Sequence, residues 1–373
     1  ITVTDEFGST FPDDVGVLGS GVQRDVLGNP VEVPVVACPD GTTRGFAILR
    51  APLNFVRSGA SQRAADLTKG WNQPRKLTVE TQYISSSGTS ERAAIQTVDL
   101  HRPPTVLIHG LEGYPTNFGW TVLGDLKFLF HRADYHTTHA QFFYQNRFEP
   151  KIAIDAALRT ARDRGVAATQ ADVVGHSMGG LLARLYSLNT FTFEGVSYTT
   201  DYLRDDNFRR GDIHKLITVN TPHYGSQLSD LSVTNDNLLT PLGAAAACNI
   251  EGTTPPDEPD EDHDRQRCSR CGAQRDLRTD SEAIRLINSR QIQIPVHAIV
   301  GIGSNDVFES ILNHAFDIAG GLLVEEYEAF GGYSDYLART QKAAIGCGVD
   351  VSTLFGGESD AVVSRFSQSG GLS

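Results

Sequence analysis

Apolar and polar positions change rhythm twice along the chain. From residue 1 to about residue 100, short β-prone runs (Val31 to Val36, Phe46 to Leu49, Leu77 to Ile84, Ile95 to Val98) are separated by turn chemistry at Gly28-Asn29-Pro30, Pro39-Asp40-Gly41 and Ser87-Gly88. Leu77-Thr78-Val79-Glu80-Thr81-Gln82-Tyr83 alternates at period two, as a half-exposed strand does. The pattern predicts a β-rich module over residues 1–100, part of it placed to supply antiparallel edge strands to a main sheet.

After Arg102-Pro103-Pro104 the runs become continuous and alternate with helical spacing. Thr105-Val106-Leu107-Ile108 ends in His109-Gly110-Leu111-Glu112-Gly113, the pattern of a buried parallel strand running into a flexible turn. Glu149-Pro150 opens a helix to about Arg164, with Ile154, Leu158 and Ala161 on one face and Gly165 as its stop. Further strands are predicted at Ala171 to Val174, Lys215 to Asn220 and Pro295 to Gly301, so residues 101–373 read as a parallel α/β domain. Between the last two strands, about residues 227–290, the rhythm lapses into an Ala-rich run, an acidic Pro-rich stretch from Pro255 to Asp264, and Cys268-Ser269-Arg270-Cys271. An insertion there is expected to lie over the carboxyl edge of the sheet as a cap or lid.

Composition narrows the function class. The 373 residues are 40% hydrophobic with a net charge of −13, which argues against a nucleic-acid partner, since phosphate neutralisation needs clustered Lys and Arg. No uninterrupted apolar run approaches the roughly 20 residues that span a bilayer. Met178 is the only methionine, so a removed leader or a fragment is expected, and with it a secreted protein, in which disulfides are permitted. Of the five cysteines, Cys248 is expected to pair with Cys268 or Cys271 rather than to hold zinc, for which only His263 offers a fourth ligand nearby. His131, His136 and His139 contain an H-x-x-H spacing without a third ligand of known proximity, and read as loop histidines. The acidic run lacks the glycine and alternation of a calcium loop. No metal or cofactor is implied.

The stretch with chemistry is Val174-Gly175-His176-Ser177-Met178-Gly179-Gly180. Its G-x-S-x-G lies between an apolar run and a segment with Leu181, Leu185 and Leu188 at helical spacing, the strand, turn and helix context of a nucleophile elbow. Small residues are needed on both sides of Ser177, because a Cβ at Gly175 or Gly179 would strike adjacent backbone. The Met178 N–H then opens a helix where an oxyanion is stabilised, and the Leu111 N–H is the natural second donor. His109 is expected to order its loop by hydrogen bonds. His223, in Thr221-Pro222-His223-Tyr224-Gly225-Ser226 after a parallel strand, is close to Ser177 by topology, whereas the His176 side chain should diverge from it.

These residues resemble the α/β-hydrolase superfamily, and specifically bacterial lipases and esterases of the triacylglycerol-lipase type. The resemblance rests on Val106 to Leu111, Val174 to Gly180, Asn220 to Ser226, and Ser359-Asp360-Ala361-Val362-Val363, and runs from about residue 103 to the end. It implies an α/β-hydrolase fold and a serine carboxylic-ester hydrolase with Ser177 as nucleophile, Leu111 and Met178 as oxyanion donors and Asp360 as the triad acid, ahead of Asp306. It also implies an ester or lipid substrate and transient contact with a lipid interface through the cap. The family places a histidine after the acid, and no histidine follows Asp360 here; it is expected beyond Ser373, with His223 as a lesser substitute. Acyl transfer or polyester depolymerisation on the same site is an alternative, and a non-catalytic binding protein on the fold is an alternative of another class.

Overall fold

The structure is a computed structural model, described here for residues 1–20, 27–111, 113–115, 127–226, 229–230, 272–290 and 294–300. Asp306, Asp360, Cys248, Cys268, Cys271 and the acidic run lie outside the described residues. The chain divides into two compact units, Ile1–Pro103 with Trp120–Leu129, and Pro104–Gly119 with Phe130–Ser373.

The first unit is built from β1 (Thr2–Asp5), α1 (Pro12–Val15), β2 (Val17–Ser20), β3 (Leu27–Gly28), β4 (Val36–Ala37), β5 (Thr43–Arg44), β6 (Ala47–Arg50), α2 (Ala60–Thr68), β7 (Arg75–Ile84) and β8 (Ser90–Leu100). β7 pairs antiparallel with β1 and β8, and β2 pairs antiparallel with β3 and β6. The strand expected over Val31 to Val36 shrinks to Val36–Ala37. Pro30 precedes the expected span and Pro34 lies within it, and each lacks the N–H a ladder needs. β1, β7 and β8 form a sheet of their own, so among the described residues the module adds no edge strand to the parallel sheet.

The apolar core of this unit is small, Val3, Val15, Leu18, Val31 and Leu77, and a buried ionic network supplements it. The Arg57 guanidinium donates to both Asp66 carboxylate oxygens at 2.7 and 2.8 Å, to Asp5 at 2.9 Å and to Glu6 at 3.1 Å. Burial works against the Asp66 charge, but the Arg57 side-chain and backbone donors and the nearby Arg75 outweigh it and hold its pKa below the usual carboxylate range.

The second unit carries a parallel sheet in the order β10 (Phe130–Arg132), β9 (Thr105–Ile108), β11 (Ala171–His176), β14 (Ile213–Val219), β15 (Val296–Ile299). Between β11 and β14 lies a hairpin that the apolar pattern had not signalled, β12 (Thr190–Phe193) and β13 (Val196–Thr199). Its turn is Glu194-Gly195, both at positive φ, 49° and 77°; this is the left-handed pair that a two-residue hairpin turn requires. β9 is buried at all four positions, as its unbroken apolar run predicts. β15, expected to be buried, is the last strand of the described sheet and exposes Val296 and Ile299.

Helix α3 (Glu149–Asp163) buries Ile154, Leu158 and Ala161, and Gly165 at φ 81° ends it by donating to the Arg162 carbonyl at 2.8 Å. Helix α4 (Met178–Ser187) is buried from Met178 to Tyr186 and forms the centre of the core. Helices α5 (Gly272–Asp276) and α6 (Glu282–Asn288) fall in the stretch expected as a cap. Ala273, Leu277, Ala283, Ile284 and Ile287 belong to the same apolar core as α4. No helix among the described residues is long and apolar enough to cross a membrane.

Candidate active site

Register brings four strand ends to one edge. Ile108 of β9 lies beside Gly175 of β11, His176 beside Val219 of β14, and Val219 beside Ile299 of β15. The loops that follow these ends carry His109-Gly110-Leu111, Ser177 and Asn220-Thr221-Pro222-His223, so the parallel arrangement converges them above the sheet.

Ser177 is the cap residue of α4, at φ 52° and ψ −126°. A non-glycine residue rarely holds such a conformation, and here the surrounding contacts determine it. The Ser177 N–H donates to the Val219 carbonyl at 2.9 Å, and its own carbonyl accepts the Gly180 N–H at 3.2 Å. A Cβ on Gly175 would stand 2.5 Å from the Gly180 nitrogen, and one on Gly179 would strike the Ile108 and His109 carbonyls. Both glycines are therefore required by backbone proximity, as the elbow spacing predicts. Thr221 secures the neighbouring strand end: it is buried, and its Oγ1 donates to the Gly175 carbonyl at 3.4 Å.

Gly110 lies directly against the serine. A Cβ there would be 2.7 Å from the Ser177 Cβ and 3.2 Å from Oγ. The loop is held by His109, which is 2% exposed. Its Nδ1 is 2.9 Å from the Gly110 carbonyl, and a carbonyl accepts only, so the proton sits on Nδ1. The ring stacks on Tyr135 with centroids 4.0 Å apart and planes 8° from parallel, and the Tyr135 hydroxyl donates to the His109 carbonyl. Burial depresses the His109 pKa, against the Gly110 hydrogen bond, which raises it. The histidine orders its loop, the role its place in the sequence predicts. Leu111 packs against the core and Met178 is fully buried at the first turn of α4.

His223 corrects an expectation. It is 3% exposed, and both ring nitrogens are engaged: Arg184 Nη1 donates to Nδ1 at 2.8 Å, and Nε2 lies 3.1 Å from Thr218 Oγ1. Because the guanidinium only donates, Nδ1 accepts and the proton resides on Nε2, which donates to Thr218. Burial, and then the Arg184 charge, bring the His223 pKa down to about 3. A ring so occupied cannot take a proton from Ser177, so His223 is not the substitute base. It is a buried tie, completed by Asn288, whose amide donates to the His223 carbonyl at 2.7 Å and accepts from Arg184 at 2.8 Å. Burial lowers the Arg184 pKa to about 10.

The remaining histidines separate. His131 lies on β10 rather than in a loop, because that short stretch pairs with β9. His136 is exposed, paired with Asp134 at 2.6 Å and stacked on Tyr114. His139 is half-buried, and burial lowers its pKa. His176 is exposed at the end of β11. Among the described residues no group of three or more His, Cys, Asp or Glu is arranged to hold a metal ion.

Parallel strands, a strained serine between β11 and α4, and a glycine loop from β9 packed on that serine make one arrangement. This is the α/β-hydrolase fold. Among solved structures the chain is similar to the mature lipase BlEst2 of Bacillus licheniformis, at 17% identity and TM-score 0.36 over 72% of this chain and 79% of that one. It is also similar to lipase 1 of Pelosinus fermentans, at 17% identity and TM-score 0.30 over 52% of this chain and 66% of that one. A carboxylesterase structure from the thaumarchaeon Nitrososphaera gargenis is similar at 16% identity and TM-score 0.28, over 74% of this chain and 99% of that one. No protein-family model and no curated protein sequence matches the chain.

Proposed function

We propose that this protein is a serine carboxylic-ester hydrolase, a lipase or esterase, that works through an acyl-enzyme on Ser177. The observation that carries the reading is the Ser177 backbone, held at φ 52° and ψ −126° at the head of a buried helix with Gly110 against its side chain. Strain of this kind is retained where neighbouring structure enforces it, and it serves here to present the hydroxyl above the sheet edge.

In this reading Oγ attacks the ester carbonyl carbon while a histidine, oriented by Asp360, takes the hydroxyl proton. The Leu111 and Met178 N–H groups hold the oxyanion of the tetrahedral intermediate, aided by the positive end of α4. The proton passes to the leaving alcohol, and water then releases the acid from Ser177. The fixed position of Ser177 against Gly110 of the β9 loop supports this role. The two hydrogen bonds of the His223 ring speak against it as the base.

A fluorophosphonate probe with a Ser177→Ala control tests the reading. Labelling that depends on Ser177 is expected, and absence of Ser177-dependent labelling would leave a non-catalytic binding protein on the fold. A chain-length series of aryl esters and triglycerides then separates esterase from lipase, since activity confined to short soluble esters counts against a lipase.

A further inference from the structure

Two consecutive side chains grip the loop after β9 at two separate points. Just past β10, the Ala133 N–H donates to the Leu107 carbonyl at 2.9 Å, which sets this stretch of chain beside the end of β9. From there Tyr135 reaches the near end of the loop, where its ring stacks on His109 and its hydroxyl donates to the His109 carbonyl. His136 reaches the far end. Its ring stacks on Tyr114 with centroids 5.6 Å apart and planes 30° from parallel. Asp134 orients that ring, its carboxylate accepting from Nδ1 at 2.6 Å.

The gripping segment is itself anchored. The Tyr135 carbonyl accepts the Thr138 N–H at 3.0 Å, and the Thr138 carbonyl accepts from the amide of buried Asn146 at 2.8 Å. Between the two stacks the loop folds back on His109: the Gly110 carbonyl takes both the His109 Nδ1–H at 2.9 Å and the Gly113 N–H at 3.2 Å, and a Cβ on Gly113 would stand 3.0 Å from the His109 Cβ. The two stacks differ in burial. His109 and Tyr135 are enclosed, whereas Tyr114 and His136 both stand at the surface, so the outer stack can be removed without opening the core.

We propose that Tyr114 and His136 form a surface clasp that fixes the outer end of this loop and so positions the Leu111 N–H for the oxyanion formed at Ser177. The inference rests on the reading of Ser177 as the nucleophile. Tyr114 and His136 are positioning residues, acting through Leu111. Because an oxyanion donor is used most in the transition state, loosening the clasp lowers kcat and leaves KM for a short aryl ester little changed.

Hydrogen–deuterium exchange of the full chain on peptides covering 107–115 tests the clasp without reference to catalysis. Tyr114→Ala and His136→Ala are each expected to exchange about two- to tenfold faster than the wild type, the range an aromatic pair supports. Tyr114→Phe keeps the ring and is expected to restore wild-type exchange. The double alanine variant should exchange no faster than the singles, since both lose the same contact. Unchanged exchange in the single variants, additive effects in the double variant, or failure of Tyr114→Phe to restore exchange overturns the proposal. Faster exchange with unchanged kcat and unchanged fluorophosphonate labelling overturns the positioning role. Absence of Ser177-dependent labelling in the wild type overturns the hydrolase reading instead, and the exchange rates still decide the clasp.

Discussion

Gly110 and Ser177 are in contact across the β9 and β11 strand ends: a Cβ on the glycine would stand 2.7 Å from the Ser177 Cβ. Neither side can yield easily, because Ser177 is locked between the Val219 carbonyl and α4, and Gly110 is tied to the His109 ring.

Gly110→Ala is therefore expected to slow Ser177 labelling by a fluorophosphonate more than it alters the fold. Overpacking of this kind costs about 1–3 kcal/mol. Labelling kinetics set beside a circular dichroism spectrum check it, and an unchanged labelling rate counts against the contact.

Gly179→Ala meets the Ile108 and His109 carbonyls, which belong to the interior strand β9 and its loop. The expected loss of stability is about 3 kcal/mol, the upper end for an added methyl group, because backbone and not a mobile side chain would have to move. Urea unfolding measures it.

His109→Phe keeps a ring to stack on Tyr135 but removes the Nδ1–H donor to Gly110. The expected effect is a loss of about 0.5–1.5 kcal/mol and severalfold slower labelling of Ser177. Normal labelling in a stably folded variant would show that the hydrogen bond does not hold the loop.

His223 gives the protein an acid sensitivity. Its folded pKa, about 3, lies below the value of about 6.5 expected in the unfolded chain. Between those values the unfolded chain takes up a proton that the folded one refuses, so stability falls as pH drops from about 6.5 towards 3. The contribution is at most roughly 1.4 kcal/mol per pH unit. His223→Gln is expected to flatten the change of urea midpoint across that window.

Asp66→Ala leaves the Arg57 guanidinium buried with Asp5 and Glu6 alone. Breaking a buried pair from one side costs about 3–5 kcal/mol, and this unit has little apolar core to offset it. Loss of its folded signal, followed by tryptophan fluorescence, is the expected outcome.

Most of the parallel sheet was legible in the sequence because its strands are mainly apolar runs and its helices have a one-sided period. Thr105–Ile108, Ala171–His176 and Glu149–Asp163 are of that kind. The elbow was legible for a stricter reason: only glycine fits beside backbone at Gly175 and Gly179, so the spacing reports the geometry directly. The β12–β13 hairpin was missed although Thr190-Phe191-Thr192-Phe193 alternates before Glu194-Gly195; the residues of that turn carried the signal.

Local pattern by itself thus determined the parallel α/β architecture, the place of Ser177 and the role of His109, since each depends on neighbours within a few residues. Tertiary structure alone decided the fate of His223, whose partners Arg184 and Asn288 lie 39 and 65 positions away. It also decided that α5 and α6 join the main core, and that Asp276 is buried with its carboxyl against the Phe143 N–H. Burial and charge proximity are properties of the packed chain, and no spacing along the sequence encodes them.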